Sequence, residues 1–282
     1  MPGRSPMRSG ALAALTVATV FAGAACSSDS GAGDDGASGD TATTAQDALT
    51  VAMQRAEGRY AHYDVVAYEG SGMKTLIISY GFTDLEVIDG ELVSTESFCS
   101  SEHRSDQPIS VDMSDAATQA IKPVPVATEV EIDPDGQLAF FRPATPTGIG
   151  IHLEDPANEP LPTDPTDPRI ADDDDDGKPG VTVSISSEGG LDGELYIARR
   201  EIFAYEVAEQ PDGTFTGAVE DDSEQLVIGA SDPIFMNEGQ WVQVPDPTLS
   251  PILLVPVDSD WDCEMLMSNR DDLFPATPEV DW

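Results

Sequence analysis

From Arg59 onward the chain is a succession of short runs in which apolar and polar residues alternate, and this period of two constrains the fold more than any other feature. Val124, Val126, Thr128, Val130 and Ile132 face one way, while Pro125, Ala127, Glu129 and Glu131 face the other. Val181, Val183 and Ile185 alternate with Thr182, Ser184 and Ser186 in the same manner. Each run reads as a half-buried strand. Further strands are expected at Tyr60–Tyr68, Lys74–Tyr80, Leu85–Ile88, Leu92–Cys99, Ile109–Met113, Leu138–Phe141, Glu194–Val207, Thr214–Val219, Gln225–Ile228 and Ile252–Val257. Asp-Gly dipeptides at 89–90, 135–136, 192–193 and 212–213 lie between such runs, where a tight hairpin turn demands positive φ. The expected fold is all-β: a single antiparallel barrel-like or sandwich domain, with the barrel favoured because successive hairpins imply up-and-down connectivity.

Helix is scarce. Ala48, Leu49, Ala52, Met53 and Ala56 share one helical face ahead of Gly58, which predicts a short helix over 46–57. Cys263, Leu266, Met267, Arg270 and Phe274 have helical spacing over 262–273, with Ser259 or Asp260 as the expected cap. One or two short helices therefore accompany the strands.

The N-terminus carries a different signal. Arg4 and Arg8 precede an apolar run, Gly10 to Ala22, that is too short to span a bilayer, and Gly23-Ala24-Ala25-Cys26 follows. The junction resembles a bacterial lipoprotein signal, although Gly23 stands where a branched residue is usual; the alternative is plain cleavage after an A-x-A-like site. The resemblance implies a signal peptide over 1–25, lipidation of Cys26, a flexible polar tether over 26–44 and a β-rich domain over 45–282. Two or three acyl chains would anchor the protein to a membrane, whereas one alone holds marginally. Ser27 after the cysteine resembles the signal for passage to the outer membrane, so the expected location is the cell envelope, facing periplasm or exterior.

The formal charge of −40 becomes −42 once Arg4 and Arg8 are removed, which disfavours nucleic acid and anionic lipid surfaces as partners. An apolar fraction of 40% argues against global disorder. After Cys26 only Cys99 and Cys263 remain, and an even pair in an oxidising compartment reads as one disulfide. Such a bridge would join the first half to the C-terminus, contributing on the order of 4 to 5 kcal/mol as an upper figure.

Between Pro143 and Pro179 the alternation gives way to a Pro- and Asp-rich crossover, spanning 143–180, that contains Asp172-Asp173-Asp174-Asp175-Asp176-Gly177. Alternate aspartates followed by glycine match the first half of a calcium loop, because calcium wants six to eight oxygens at about 2.3 to 2.6 Å. Asp172, Asp174 and Asp176 are the expected metal ligands, with the Lys178 carbonyl at the seventh position and Asp164 and Asp167 as further oxygen donors. Position twelve is Val183 and a strand follows, so this is not an EF-hand. It resembles the Asp-rich calcium-stabilised connecting loops of repeat-bearing secreted proteins. The alternative is a solvated acidic stretch.

The three histidines, His62, His103 and His152, form no paired metal motif, and no G-x-S-x-G, phosphate-loop or dinucleotide fingerprint occurs. No catalytic residue is assigned. Adjacent Arg199 and Arg200 lie within one expected strand, so alternation would turn one of them inward towards a buried carboxylate or anion, unless a bulge turns both outward. The passage from Leu153 to Ile185, followed by Gly193 to Arg200, resembles a segment recurring in uncharacterised exported lipoproteins of myxobacteria, loosely from Gly58 to Pro275. That resemblance implies location and fold but no activity.

The expected function is accordingly an envelope-anchored, non-enzymatic, calcium-stabilised β-domain for surface binding or structure, with a protein or glycan ligand as the candidate partner. A lipocalin-like carrier of a small apolar ligand and an exported hydrolase are the alternatives.

Overall fold

The computed structural model describes residues 38–70, 72–236 and 241–282, with side chains from residue 45. The signal segment 1–25, Cys26 and the tether as far as residue 37 lie outside the described residues. In chain order the elements are α1 (Ser38–Ala56), β1 (Gly58–Gly70), β2 (Met73–Ile88), β3 (Glu91–Ser105), β4 (Ile109–Met113), α2 (Asp115–Gln119), β5 (Val126–Ala127), β6 (Glu129–Ile132), β7 (Leu138–Arg142) and β8 (Thr147–Ile149). There follow β9 (Val181–Ser187), β10 (Gly193–Glu201), β11 (Phe203–Glu209), β12 (Phe215–Asp221), β13 (Glu224–Ala230), β14 (Trp241–Gln243), β15 (Pro251–Val257) and α3 (Cys263–Leu273).

Wholly antiparallel pairing gives the main sheet the order β5-β3-β2-β1-β15-β12-β11-β7-β6, with β14 added to the end of β1. The two edge strands are one piece of chain: β5 pairs with β3, β6 pairs with β7, and only Thr128 separates them. Both the Thr128 amide and its hydroxyl donate to the Leu92 carbonyl, at 2.9 and 2.8 Å, where the chain changes partner. The sheet is thereby a nearly closed barrel that runs up and down in sequence order. Closure removes the exposed edges of a long meander.

The expected hairpin turns form at 89–90, 135–136 and 212–213, whereas β9 and β10 are joined by a turn over Ser187–Gly190, with positive φ at Gly190, and Asp192-Gly193 falls beyond it with Gly193 already in β10. Asp89 and Gly90, at φ 54° and 89°, supply the paired positive angles of a two-residue turn. The strands expected at Lys74–Tyr80 and Leu85–Ile88 are one strand, β2, which runs through Gly81 with only a register shift against β3. A Cβ there would stand 2.2 Å from the Ser97 carbonyl oxygen, so this glycine serves close approach of β3. The strand expected over 194–207 is instead broken at Ile202 into β10 and β11.

Alternation along β1 buries both faces. Tyr60, Val66 and Tyr68 join Phe140, Tyr205, Phe215 and Leu254 inside the barrel, whereas Ala61, Tyr63, Val65 and Ala67 lie on its outer wall. Ala52, Met53 and Ala56 of α1 pack into the interior cluster and close the turn end of the barrel. This helix starts at Ser38, earlier than expected and within the stretch assigned to the tether. The outer wall is covered by α3 and the residues after it, with Phe274 stacked on Tyr63 at 5.2 Å. Asp262 caps α3 by accepting from the Met265 amide, in place of the expected Ser259 or Asp260. The unexpected α2 is capped by Ser114.

At the other end of the barrel, the connections after β3, β7 and β12 detour to build a second antiparallel sheet, β13-β10-β9-β4, with β8 also on β10. This cap sheet has its own apolar cluster around Ile149, Val181, Ile197 and Val227.

Cys99 and Cys263 form the expected disulfide, across a separation of 164 residues. It fastens α3 to the outer wall. Replacing both cysteines by serine should lower the unfolding free energy by about 2 to 5 kcal/mol. Urea titration measures this, and an unchanged midpoint would mean that α3 is held without the bridge.

Candidate functional site

The Pro- and Asp-rich passage has little strand, but it is pinned along its length. Ile151 bridges Ile170, and Asp172 bridges Gly180. The His152, Ala171 and Asp173 amides donate to the Arg169, Gly150 and Gly180 carbonyls at 2.8, 3.0 and 3.2 Å. Ile151, Leu153, Leu161 and Ile170 pack against Ala198 and Ile228 of the cap sheet. Arg200 donates to the Pro156 and Glu159 carbonyls, at 3.0 and 2.7 Å, and pairs with Glu224. A crossover of this composition stays in place because one buried guanidinium satisfies its carbonyls.

Within this frame Asp172, Asp174 and Asp176 each offer a carboxylate oxygen, the three lying within 4.8 Å of one another. The winding that turns alternate residues to one point uses positive φ at Asp175 (56°) and Gly177 (83°). Asp172 accepts from the Asp176 and Gly177 amides at 3.0 and 2.9 Å. Asp174 accepts from the Thr182 amide at 2.9 Å with one oxygen, while the other is buried without a partner. Burial pushes the Asp174 carboxyl above its ordinary value, and the charges of Asp176 and Asp172 add to this. Asp176 is also partly desolvated, but its carboxyl lies below the ordinary value because the Thr182 hydroxyl, the Lys178 amide and the Lys178 ammonium all bond to it.

The intervening Asp173 faces away from this point and accepts from the Gly150 amide at 2.6 Å. Of the other expected ligands, Asp164 closes a turn onto Thr166, and Asp167 receives both the backbone amide and the guanidinium of Arg169. The Lys178 ammonium stands 3.3 Å from Asp176 and 2.8 Å from Glu194, so a cationic side chain already borders the three aspartates.

Arg199 and Arg200 keep strict alternation. The register shift in β10 falls between Tyr196 and Ile197, which overturns the expectation that a bulge turns both arginines outward. Arg199 enters the junction between barrel and cap sheet, bonded to Glu201 with Asp221 at 3.7 Å and the Tyr68 hydroxyl at 3.5 Å. His103 lies in the same junction, its Nδ1 sealed from solvent without a partner.

A polar network that the sequence analysis passed over fills part of the barrel interior. His62 makes a bond of 2.9 Å to Asp64 and one of 2.8 Å to Thr83, and none of the three is more than 1% exposed. The order hydroxyl, imidazole, carboxylate is that of a hydrolytic relay. Here it is sealed beneath the rings of Phe98, Phe203 and Tyr205. Glu96 on β3 pairs with Arg142 on β7 at 2.9 Å and accepts from the hydroxyls of Tyr205, at 2.7 Å, and Ser94. Polar residues at inward strand positions, such as His62 and Asp64 in YAHYDVV, were the available signal.

A cleft of about 580 Å³ opens at the turn end of the barrel, but its Arg55 is engaged by Glu209 and the Gly136 carbonyl, and its Arg59 by Asp84 and the Trp261 carbonyl. No family model, curated protein or solved structure matches the chain.

Burial, followed by the Arg199 charge, holds the His103 imidazole down at about 4. As pH falls from about 6.5, the unfolded chain takes up this proton before the folded one, so the stability that His103 confers is full above that pH and declines towards pH 4. In His103→Gln this part of the acid limb should flatten, as read from urea midpoints across the same range. Equal slopes in parent and variant would show that His103 does not contribute.

Proposed function

We propose that the chain is an envelope-anchored, non-enzymatic β-domain whose Asp172–Asp176 loop is stabilised by calcium, and which serves surface binding or structure. The observation that carries this reading is the convergence of three carboxylates on one point beside a buried, unpartnered oxygen of Asp174. Calcium takes oxygen ligands of this kind, and a divalent ion would offset the burial, and the smaller repulsion from Asp176 and Asp172, that raise the Asp174 carboxyl. The loop is tied directly to β9 through Thr182, so the ion would stabilise the cap sheet without taking part in chemistry. Anchoring through Cys26, expected from the N-terminal resemblance, would present this domain at a membrane. No described helix is long and apolar enough to cross one. The barrel interior is occupied by Tyr60, Phe140, Tyr205, Phe215 and the polar network, which favours the binding or structural reading over the apolar carrier.

Calorimetric titration of the full chain with calcium, paired with thermal melts in calcium and in EDTA, tests the reading. A saturable site is expected, with a melting temperature that falls in EDTA for the parent and stays unchanged for Asp174→Ala combined with Asp176→Ala. Absence of both heat and shift would return the aspartates to solvated surface.

A further inference from the structure

Where the segment after α3 crosses the outer wall of β2 and β3, it leaves a cleft of about 380 Å³ bounded by Tyr80, Arg104, Arg270, Phe274 and Thr277. Its walls come from two parts of the chain far apart in sequence. They are held together by the Cys99–Cys263 bridge, by Phe274 on Tyr63 and Tyr80 at 5.2 and 6.0 Å, and by contact of Thr277 with the Tyr80 hydroxyl. The rim is therefore built and fixed.

The cleft is close to neutral in a strongly acidic molecule, because Arg104 and Arg270 balance Glu102 and Asp271. Arg104 and Arg270 share one carboxylate, that of Glu102. Asp271 is 3.7 Å from Arg270 but 98% exposed, so water and salt screen it. The Arg104 side chain is 53% exposed and bonds only to Glu102 among the described residues, which leaves most of its guanidinium donors free. The Arg270 guanidinium lies 5.3 Å from the centre of the Tyr80 ring, placing cation and aromatic wall side by side.

We propose that this cleft binds a small organic carboxylate, with the carboxylate on Arg104 and Arg270 and the apolar body against the exposed Pro275 and Ala276 beside Phe274. Planar guanidinium groups match a carboxylate with two parallel bonds. With two guanidinium groups balanced by Glu102 and Asp271, added ligand charge gains little net attraction and contact with the apolar rim must contribute, so a singly charged anion with an apolar ring suits the site better than phosphate. This inference does not depend on the aspartate loop.

Benzoate is the probe, titrated into the full chain by calorimetry and by chemical-shift mapping, with benzylamine and inorganic phosphate alongside. Saturable benzoate binding is expected, weakened at least about tenfold in Arg104→Gln, whose exposed side chain should leave the melting temperature unchanged. Ala276→Trp, which fills the cleft from an exposed position, should abolish it. Lack of saturation, equal affinity in both variants, or tighter binding of benzylamine or phosphate would overturn the proposal.

Discussion

The architecture depends on one strand that belongs to both edges of its own sheet. Residues 126–132 pair first with β3 and then with β7, and the handover is held by the two bonds from Thr128 to the Leu92 carbonyl. Inside the barrel, the ion pair of Glu96 and Arg142 reaches from β3 to β7 across this same seam. Removing one partner of so buried a pair leaves an uncompensated charge, so the network specifies which strands face one another as well as how tightly they hold. With the seam closed, the apolar interior, the α1 plug and the covered outer wall all find their places.

Much of the wall was legible in the sequence, because one solvated face and one buried face impose a period of two that the residues display openly. Val126, Thr128, Val130 and Ile132 turn inward as their alternation requires, and three of the four Asp-Gly dipeptides mark hairpin turns, the turn before β10 being made by Ser187–Gly190. The expected strands Lys74–Tyr80 and Leu85–Ile88 merge into β2, since Gly81 between them admits close approach of β3, a long-range requirement that local alternation does not display. The break at Ile202 carries no marker, since β10 and β11 are both good strands that happen to serve different sheets. The aspartate cluster was readable from local spacing. The interior network was not, because Glu96, Arg142 and Tyr205 meet only through long-range pairing.

Charge is used in two distinct ways. Thirteen basic residues face 53 acidic ones, and many of the basic side chains act as joints: Arg55 ties α1 to the β11–β12 turn, Arg199 the cap to the barrel, and Arg200 the crossover to the cap. The carboxylates in excess must face water, where self-repulsion is relieved by salt and by bound cations. Against this background the aspartate loop and the Arg104–Arg270 cleft are complementary exceptions, one gathering negative charge and the other locally balancing it.

The detours to the cap sheet all leave from the same end of the barrel, while the opposite end has tight turns, α1 and the short link from β15 to α3. The molecule is therefore polar along its axis. A strand of 13 residues such as β1, tilted as barrel strands are, stands about 30 Å tall. If the chain is held by its N-terminus, as proposed, it enters at the plain end, and the barrel would then act as a spacer between the point of attachment and the cap sheet. Inserted segments are absorbed at the cap end without shifting the register of any wall strand.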